Sequence, residues 1–198
     1  AYGAISKVLM ERGDKEESLR LASEITDDWG KSKAYIEISK VLMERGEKEE
    51  SLRLASEITD AYDKSDAYAA ISKVLFQQGK KEESKKLMTE SLRVASEIKR
   101  DLYRSMAYLG ISKVLLEQGN EKESLRVASE ITAEGDKSRA YAEISKVLIE
   151  QGKHEESLRV ASEIPRGDLR IRAFTDFGKT LHYEVAQELL ATIPSETN

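Results

Sequence analysis

The chain has 198 residues, 39% hydrophobic and 35% charged, with two prolines and no cysteine. It can bury a core beneath a strongly solvated surface, and it carries no disulfide framework or cysteine-ligated metal. Thirty-two Lys and Arg against 37 Asp and Glu give a net charge of −5, the wrong sign for a protein that works by neutralising phosphates, so nucleic acid is not an expected partner. No apolar run approaches the ~20 residues that cross a bilayer, and the N-terminus shows no charged segment followed by an apolar one. No membrane partner is expected, and a soluble, cytosolic chain is.

Internal repetition organises everything else. The segment AYGAISKVL from Ala1 returns as AYIEISKVL from Ala34, AYAAISKVL from Ala67, AYLGISKVL from Ala107, AYAEISKVL from Ala140 and, decayed, AFTDFGKTL from Ala173, at intervals of 33, 33, 40, 33 and 33 residues. A second segment, SLRLASEI or SLRVASEI, ends at Ile25, Ile58, Ile98, Ile131 and Ile164. In the first segment Tyr2, Ile5, Val8, Leu9 and Met10 gather on one side of a helix and do not alternate as a strand would. Gly13, Gly46, Gly79, Gly119 and Gly152 follow at a fixed offset, where positive φ ends a helix in a tight turn. Asp14 with Glu17, and Asn120 with Glu123, form capping-box-like starts to the second helix. That helix buries Leu19, Ala22 and Ile25 and solvates Lys15, Glu16, Arg20 and Glu24. Asp63, Asp136 and Asp168 are read as N-caps of the following first helices, and Trp29 and Tyr62 as anchors in connecting loops. Short connections force neighbouring helices to run antiparallel. A hairpin of ~33 residues leaves its apolar stripe uncovered, so the units stack as a solenoid with a concave and a convex side.

The irregularities also carry information. Residues 85–91 insert seven residues into the second segment of the third unit; seven residues advance a helix by about two turns and keep its apolar face nearly in register. The sixth unit lacks the turn glycine, and Phe174, Phe177, Leu181, Val185, Leu189 and Ile193 keep one unbroken period, which predicts a single long capping helix. Ala1 falls within a first helix without the Asp-Lys-Ser lead-in seen at Asp63 and Asp136, so a longer array cut at this point is expected.

These residues resemble the tetratricopeptide repeats, whose pattern is an aromatic, Leu-Gly three residues on, Tyr, and later Ala and an aromatic. Tyr2, Ile5, Ser6 and Leu9 stand at the first helix's positions, Gly13 at the turn, and Ser18, Ala22 and Ile25 at those of the second. The chain departs from the pattern with Ser6 where a small glycine is usual, Ala22 in place of an aromatic, Ile25 in place of alanine, and no proline at the first four unit junctions. The resemblance covers nearly the whole chain, in five good units and one degenerate one. It implies an all-α, right-handed α-solenoid of about six hairpins in a single domain, with units starting near residues 1, 34, 67, 107, 140 and 173. It further implies a non-catalytic scaffold that binds a peptide or partner protein on its concave face, with no cofactor.

The feature most suggestive of function is a lysine ladder: Lys7, Lys40, Lys73, Lys113, Lys146 and Lys179 occupy the same place in all six units. If the position faces the groove, as the resemblance implies, a row of ammonium groups favours an acidic ligand. Lys7, Lys40, Lys113 and Lys146 also have Glu11, Glu44, Glu117 and Glu150 four residues on, so ordinary solvated pairs account for them equally. Beside the ladder, Gly3, Ile36, Ala69, Leu109 and Ala142 vary more than their surroundings, which fits a tuned contact surface or neutrality. Met10, Met43, Phe76, Leu116 and Ile149, at the ends of the first helices, are read as packing against the next hairpin. No enzyme is expected. His154 and His182 have no nucleophile or acid set around them and no metal-pair spacing, and each glycine stands alone rather than in a phosphate loop. Two rivals from other classes remain: a structural spacer within a longer array, and a self-associating module stacked through an apolar edge.

Overall fold

The computed structural model describes the backbone of residues 2–192 and the side chains of residue 6 and of residues 8–179. Helices α1 (Tyr2–Arg12) and α2 (Lys15–Ser23), α3 (Asp28–Glu44) and α4 (Lys48–Ser56), α5 (Ala61–Gln77) and α6 (Lys81–Ser96), α7 (Asp101–Glu117) and α8 (Glu121–Ser129), and α9 (Glu134–Glu150) and α10 (His154–Ser162) form five hairpins. A single helix α11 (Gly167–Thr192) follows. No strand occurs among the described residues, and the fold is an all-α solenoid.

Each hairpin closes on a glycine with positive φ, as at Gly46 (φ 83°) and Gly79 (φ 78°). The Gly46 amide donates to the Met43 carbonyl at 3.0 Å and the Glu47 amide to the Leu42 carbonyl at 2.9 Å. This paired closure satisfies carbonyls that the helix end would otherwise orphan. A Cβ on Gly46 would meet nothing within 4 Å, so backbone conformation rather than space selects glycine there.

The N-terminal caps differ from the sequence reading. The first helices begin about a turn earlier, so Asp63 and Asp136 lie inside α5 and α9, where both are buried. Asp60 is the cap of α5, accepting from the Asp63 amide at 3.0 Å, and Asp27 does the same for Gly30 in α3. Ala133 stands at the start of α9 without a side-chain bond, and Asp168 sits in the first turn of α11 against Arg166. An acid is favourable both at the cap and three residues on, and a periodic pattern does not distinguish the two. Asn120 caps α8 through the Glu123 amide at 3.4 Å, but Asp14 makes no side-chain cap bond. Trp29 and Tyr62 lie in the first turns of α3 and α5 rather than in loops.

First helices pack on first helices along the array, from α1 through α3, α5, α7 and α9 to α11. Second helices pack on their own partner and on the next first helix, but not on one another. The second-helix layer is therefore splayed wider, and the array curves toward the first helices. Met10, Ile38, Leu42, Met43, Ile71, Leu75, Ile111, Ile144 and Leu148 fill the seam with almost no exposure.

Within each hairpin two buried serines twelve residues apart clasp the helices together. Ser18 donates to the Ser6 carbonyl at 2.6 Å and Ser51 to the Ser39 carbonyl at 2.7 Å. In the α5–α6, α7–α8 and α9–α10 hairpins the donation is reciprocal, for example Ser84 to the Ser72 carbonyl at 2.8 Å and Ser72 to the Ser84 carbonyl at 2.9 Å. A small side chain permits close approach, and each donating hydroxyl is satisfied by the facing backbone instead of remaining a buried polar group without a partner.

The long helix α6 uses the same device twice. Ser91, seven residues after Ser84, donates to the carbonyl of Ser65, seven residues before Ser72, at 2.8 Å. The antiparallel register thus holds through two additional turns. The consequence falls on the next junction. Gln78, at the end of α5, donates to the carbonyls of Met43 and Glu44. Gln118, its counterpart at the end of α7, instead reaches the hydroxyls of Ser72 at 3.2 Å and Ser84 at 3.3 Å. Equivalent partners would have been the carbonyls of residues 76 and 77, so α7 has slipped along α5 by at least about one turn.

Candidate functional site

The ladder lysines project from the first helices, and every described one is engaged by an acid. Lys40 meets Glu37 at 3.3 Å, Lys73 meets Glu117 at 2.7 Å and Lys113 meets Glu143 at 3.6 Å. Lys146 meets Glu150 at 3.9 Å and Lys179 meets Asp176 at 3.7 Å. The Lys7 side chain lies outside the described residues. Of the four-residue pairs expected from sequence among the described lysines, the one to Glu150 forms, whereas Lys40 turns to Glu37 and Lys113 to Glu143 on the next first helix; Lys73, which has no acid four residues on, reaches Glu117. All five lysines are at least one-third exposed, so these pairs hold the ladder loosely, at ~0–1 kcal/mol each.

Of the variable positions, Ile36 and Ala69 are buried in the seam between hairpins, while Leu109 and Ala142 are half-buried. Ala142 and Lys146 share a shallow groove of about 300 Å³ with Arg172 and Asp176 of α11. The ends of the first helices pack inward: Met10, Met43, Leu116 and Ile149 are buried.

The second-helix side is stitched by ion pairs between consecutive turns. Lys15 binds Glu47 and Glu50, Lys48 binds Glu83 at 2.5 Å, and Lys153 binds Glu121 at 2.9 Å. The hydrogen bonds that Lys15 donates to the Glu47 and Glu50 carboxylates raise its pKa above its ordinary value. The Lys48 and Lys153 ammonium groups hold Glu83 and Glu121 below theirs.

Sequence reasoning did not identify a cleft of about 1000 Å³ at the starts of α3, α5 and α7. Trp29 is 68% exposed there. The Tyr62 and Tyr103 rings lie 6.1 Å apart, Lys33 sits over Tyr62, and Arg100 stacks 4.6 Å from the centre of Tyr103. The 33-residue spacing of Trp29 and Tyr62 was the available signal; their reading as loop anchors hid it. Lys33 also bridges Asp63 at 3.2 Å and Asp66 at 3.7 Å. His154 faces the Phe177 ring edge-on at 5.8 Å, and the His182 side chain is outside the described residues. No group of three metal-ligating side chains occurs among the described residues, and no described helix is long and apolar enough to cross a membrane.

Stacked hairpins with glycine turns, inward-packed first helices and small-residue clasps make a helical-repeat solenoid that is similar to the tetratricopeptide repeats. Residues 65–98, which cover α5 and α6 apart from the first turn of α5, match the tetratricopeptide repeat family. Among solved structures the chain is similar to Ton1535 from Thermococcus onnurineus NA1, with a TM-score of 0.55 and 17% identity over 93% of this chain and 56% of that one. The chain thus spans little more than half the length of that structure, and the likeness concerns the fold. No curated protein matches the chain by sequence.

Proposed function

We propose that the chain is a non-catalytic interaction scaffold that binds an extended peptide, or an extended segment of a partner protein, along its first-helix face. Tetratricopeptide repeats generally mediate protein–protein interaction, which supports the class. The observation that carries the finer reading is the ladder: Lys40, Lys73, Lys113, Lys146 and Lys179 stand one per unit on consecutive first helices, half-buried at Lys40 and Lys73 and exposed at the others, and loosely paired. Packed helices lie about 8–10 Å apart, and a ligand in the polyproline II conformation rises about 3.1 Å per residue and returns to the same face every third residue. A ligand carboxylate every third residue would therefore meet one lysine per unit. Exchanging an exposed intramolecular pair for a ligand carboxylate costs little, since the pair contributes little. Leu109 and Ala142 beside the ladder give such a ligand apolar contact.

A lysate pull-down read by mass spectrometry, comparing the parent with a folded variant carrying K40E, K73E, K113E and K146E, tests this reading. A prey held by the parent and lost by the variant supports it. Equal capture by both, or capture by neither, overturns it and leaves the spacer role in the lead.

A second reading, self-association, is favoured by α11. Ile171 and Phe174 are 68% and 40% exposed. They stand where earlier units place buried Ser138 and Tyr141, beneath a second helix. A strictly monomeric species in light scattering at high concentration would sink it.

A further inference from the structure

The slip between α5 and α7 leaves the α5–α6 turn overhanging the α7–α8 turn, and the overhang shelters two clefts on either side of Phe76 and Gln118. The larger, about 460 Å³, lies between α6 and the start of α8; the smaller, about 430 Å³, opens on the first-helix side beside Lys73. Half-buried Phe76 and Leu92 line the larger cleft over buried Met88 and Leu115.

Its rim is predominantly basic. Lys81, Lys85 and Lys122 line it, with Lys80 and Lys86 alongside, and none of the five makes an ion pair within 4 Å among the described residues. Lys81 lies over the Phe76 ring at 5.9 Å. The neighbouring acids are already engaged: Glu83 by Lys48, Glu121 by Lys153 and Glu123 by Arg126 at 2.7 Å. Glu82 alone at the rim is without such a partner. The stitch that joins the other second helices is missing between α6 and α8 among the described residues. A cluster of five lysines in a chain of net charge −5, none in an ion pair within 4 Å among the described residues and countered only at longer range by acids such as Glu83 and Glu123, gathers at the junction where the repeat register breaks.

We propose that this cleft is a docking site for an acidic segment of a partner protein that carries a large apolar side chain between its carboxylates. The apolar side chain enters beside Phe76 and Leu92, and the flanking carboxylates meet Lys81, Lys85 and Lys122. Charge complementarity selects the occupant, and the volume admits one or two large side chains rather than a whole helix. The site is separate from the lysine ladder, and its fate is independent of the ladder's.

The test is fluorescence anisotropy of the parent with a fluorescein-labelled heptapeptide of sequence DELDEFD, beside an all-polar DESDESD peptide and a short oligothymidine. The site predicts saturable binding of DELDEFD below about 1 mM, at least about tenfold weaker in a K81E, K85E, K122E variant. Deletion of residues 85–91, which removes the overhang, should weaken it equally, whereas K113E with K146E should change it by less than about twofold. Circular dichroism confirms that each variant is folded. The proposal is overturned if DELDEFD does not bind the parent, or binds the K81E, K85E, K122E variant as well. It is equally overturned if DESDESD matches DELDEFD, which would mean charge alone, or if oligothymidine binds the cleft more tightly, which would make the occupant a nucleic acid.

Discussion

The serine clasp of the second hairpin contains its own control. Ser39 and Ser51 are both fully buried, yet only Ser51 donates, to the Ser39 carbonyl at 2.7 Å; the Ser39 hydroxyl has no hydrogen-bond partner. Ser51→Ala therefore deletes a made bond, at a net cost of about 0.5–1.5 kcal/mol. Ser39→Ala deletes a buried hydroxyl that is unsatisfied and puts the best helix former in its place, so it should be neutral or stabilise by up to ~1 kcal/mol. At about 2–4 °C per kcal/mol for a chain of this size, the two variants should separate by several degrees, on opposite sides of the parent or with Ser39→Ala level with it. Ser72→Ala calibrates the comparison, because its hydroxyl does donate, to the Ser84 carbonyl at 2.9 Å. Thermal melts and urea midpoints under one buffer are sufficient, provided the urea slopes agree; a changed slope would signal loss of two-state behaviour in the array. If Ser39→Ala proved as destabilising as Ser51→Ala and Ser72→Ala, the clasp would be a matter of shape rather than hydrogen bonding, and the argument would fail.

Three further outcomes are expected. Ile131, 2% exposed, should not accept charge: Ile131→Asp should abolish a cooperative urea transition, while Leu125→Asp, at a half-buried site, should lower the midpoint and keep cooperativity. Deleting residues 85–91 should leave helicity per residue by circular dichroism within error of the parent, because it removes about two whole turns and restores the shorter repeat; collapse of the far-ultraviolet signal would show that α6 cannot be shortened. Burial works against the Lys33 ammonium, but Asp63 and Asp66 outweigh it and raise its pKa above the ordinary 10.5. The stabilisation from that pairing is therefore complete below 10.5 and lost as pH rises through the higher folded value. Lys33→Met should flatten the fall in melting temperature on the alkaline side; an unaltered alkaline limb would remove Lys33 from the account.

Helical periodicity and the recurring turn glycine were enough to read the all-α solenoid, since both are local signals with a 3.6-residue period or a single φ requirement. The repeated serines were visible as departures from glycine, but not as a clasp. Their role depends on the carbonyl of a facing helix twelve residues away, and a sequence pattern does not display that pairing. The caps at Asp63 and Asp136 were misplaced by about one turn because an acid is favourable at both candidate positions. The slip at α7 was hidden for a different reason. A seven-residue insertion looks harmless along one helix, where the apolar face is kept, and its effect emerges only in how the following helix meets the preceding one. The cleft around Trp29, Tyr62 and Tyr103 likewise depends on three consecutive units lying side by side.

The ion-pair stitches on the outer layer have a mechanical meaning. A curved stack flexes by opening and closing the gaps between its second helices, and Lys15, Lys48 and Lys153 span three of those gaps as electrostatic springs. The α6–α8 gap has no pair within 4 Å among the described residues, only the longer-range pull of Lys85 on Glu123. Exposed pairs weaken as salt rises, so the stitched joints should soften with ionic strength toward the stiffness of the unstitched joint. At low salt the array bends as two stiffer arms about one compliant point, and at high salt as an evenly flexible rod.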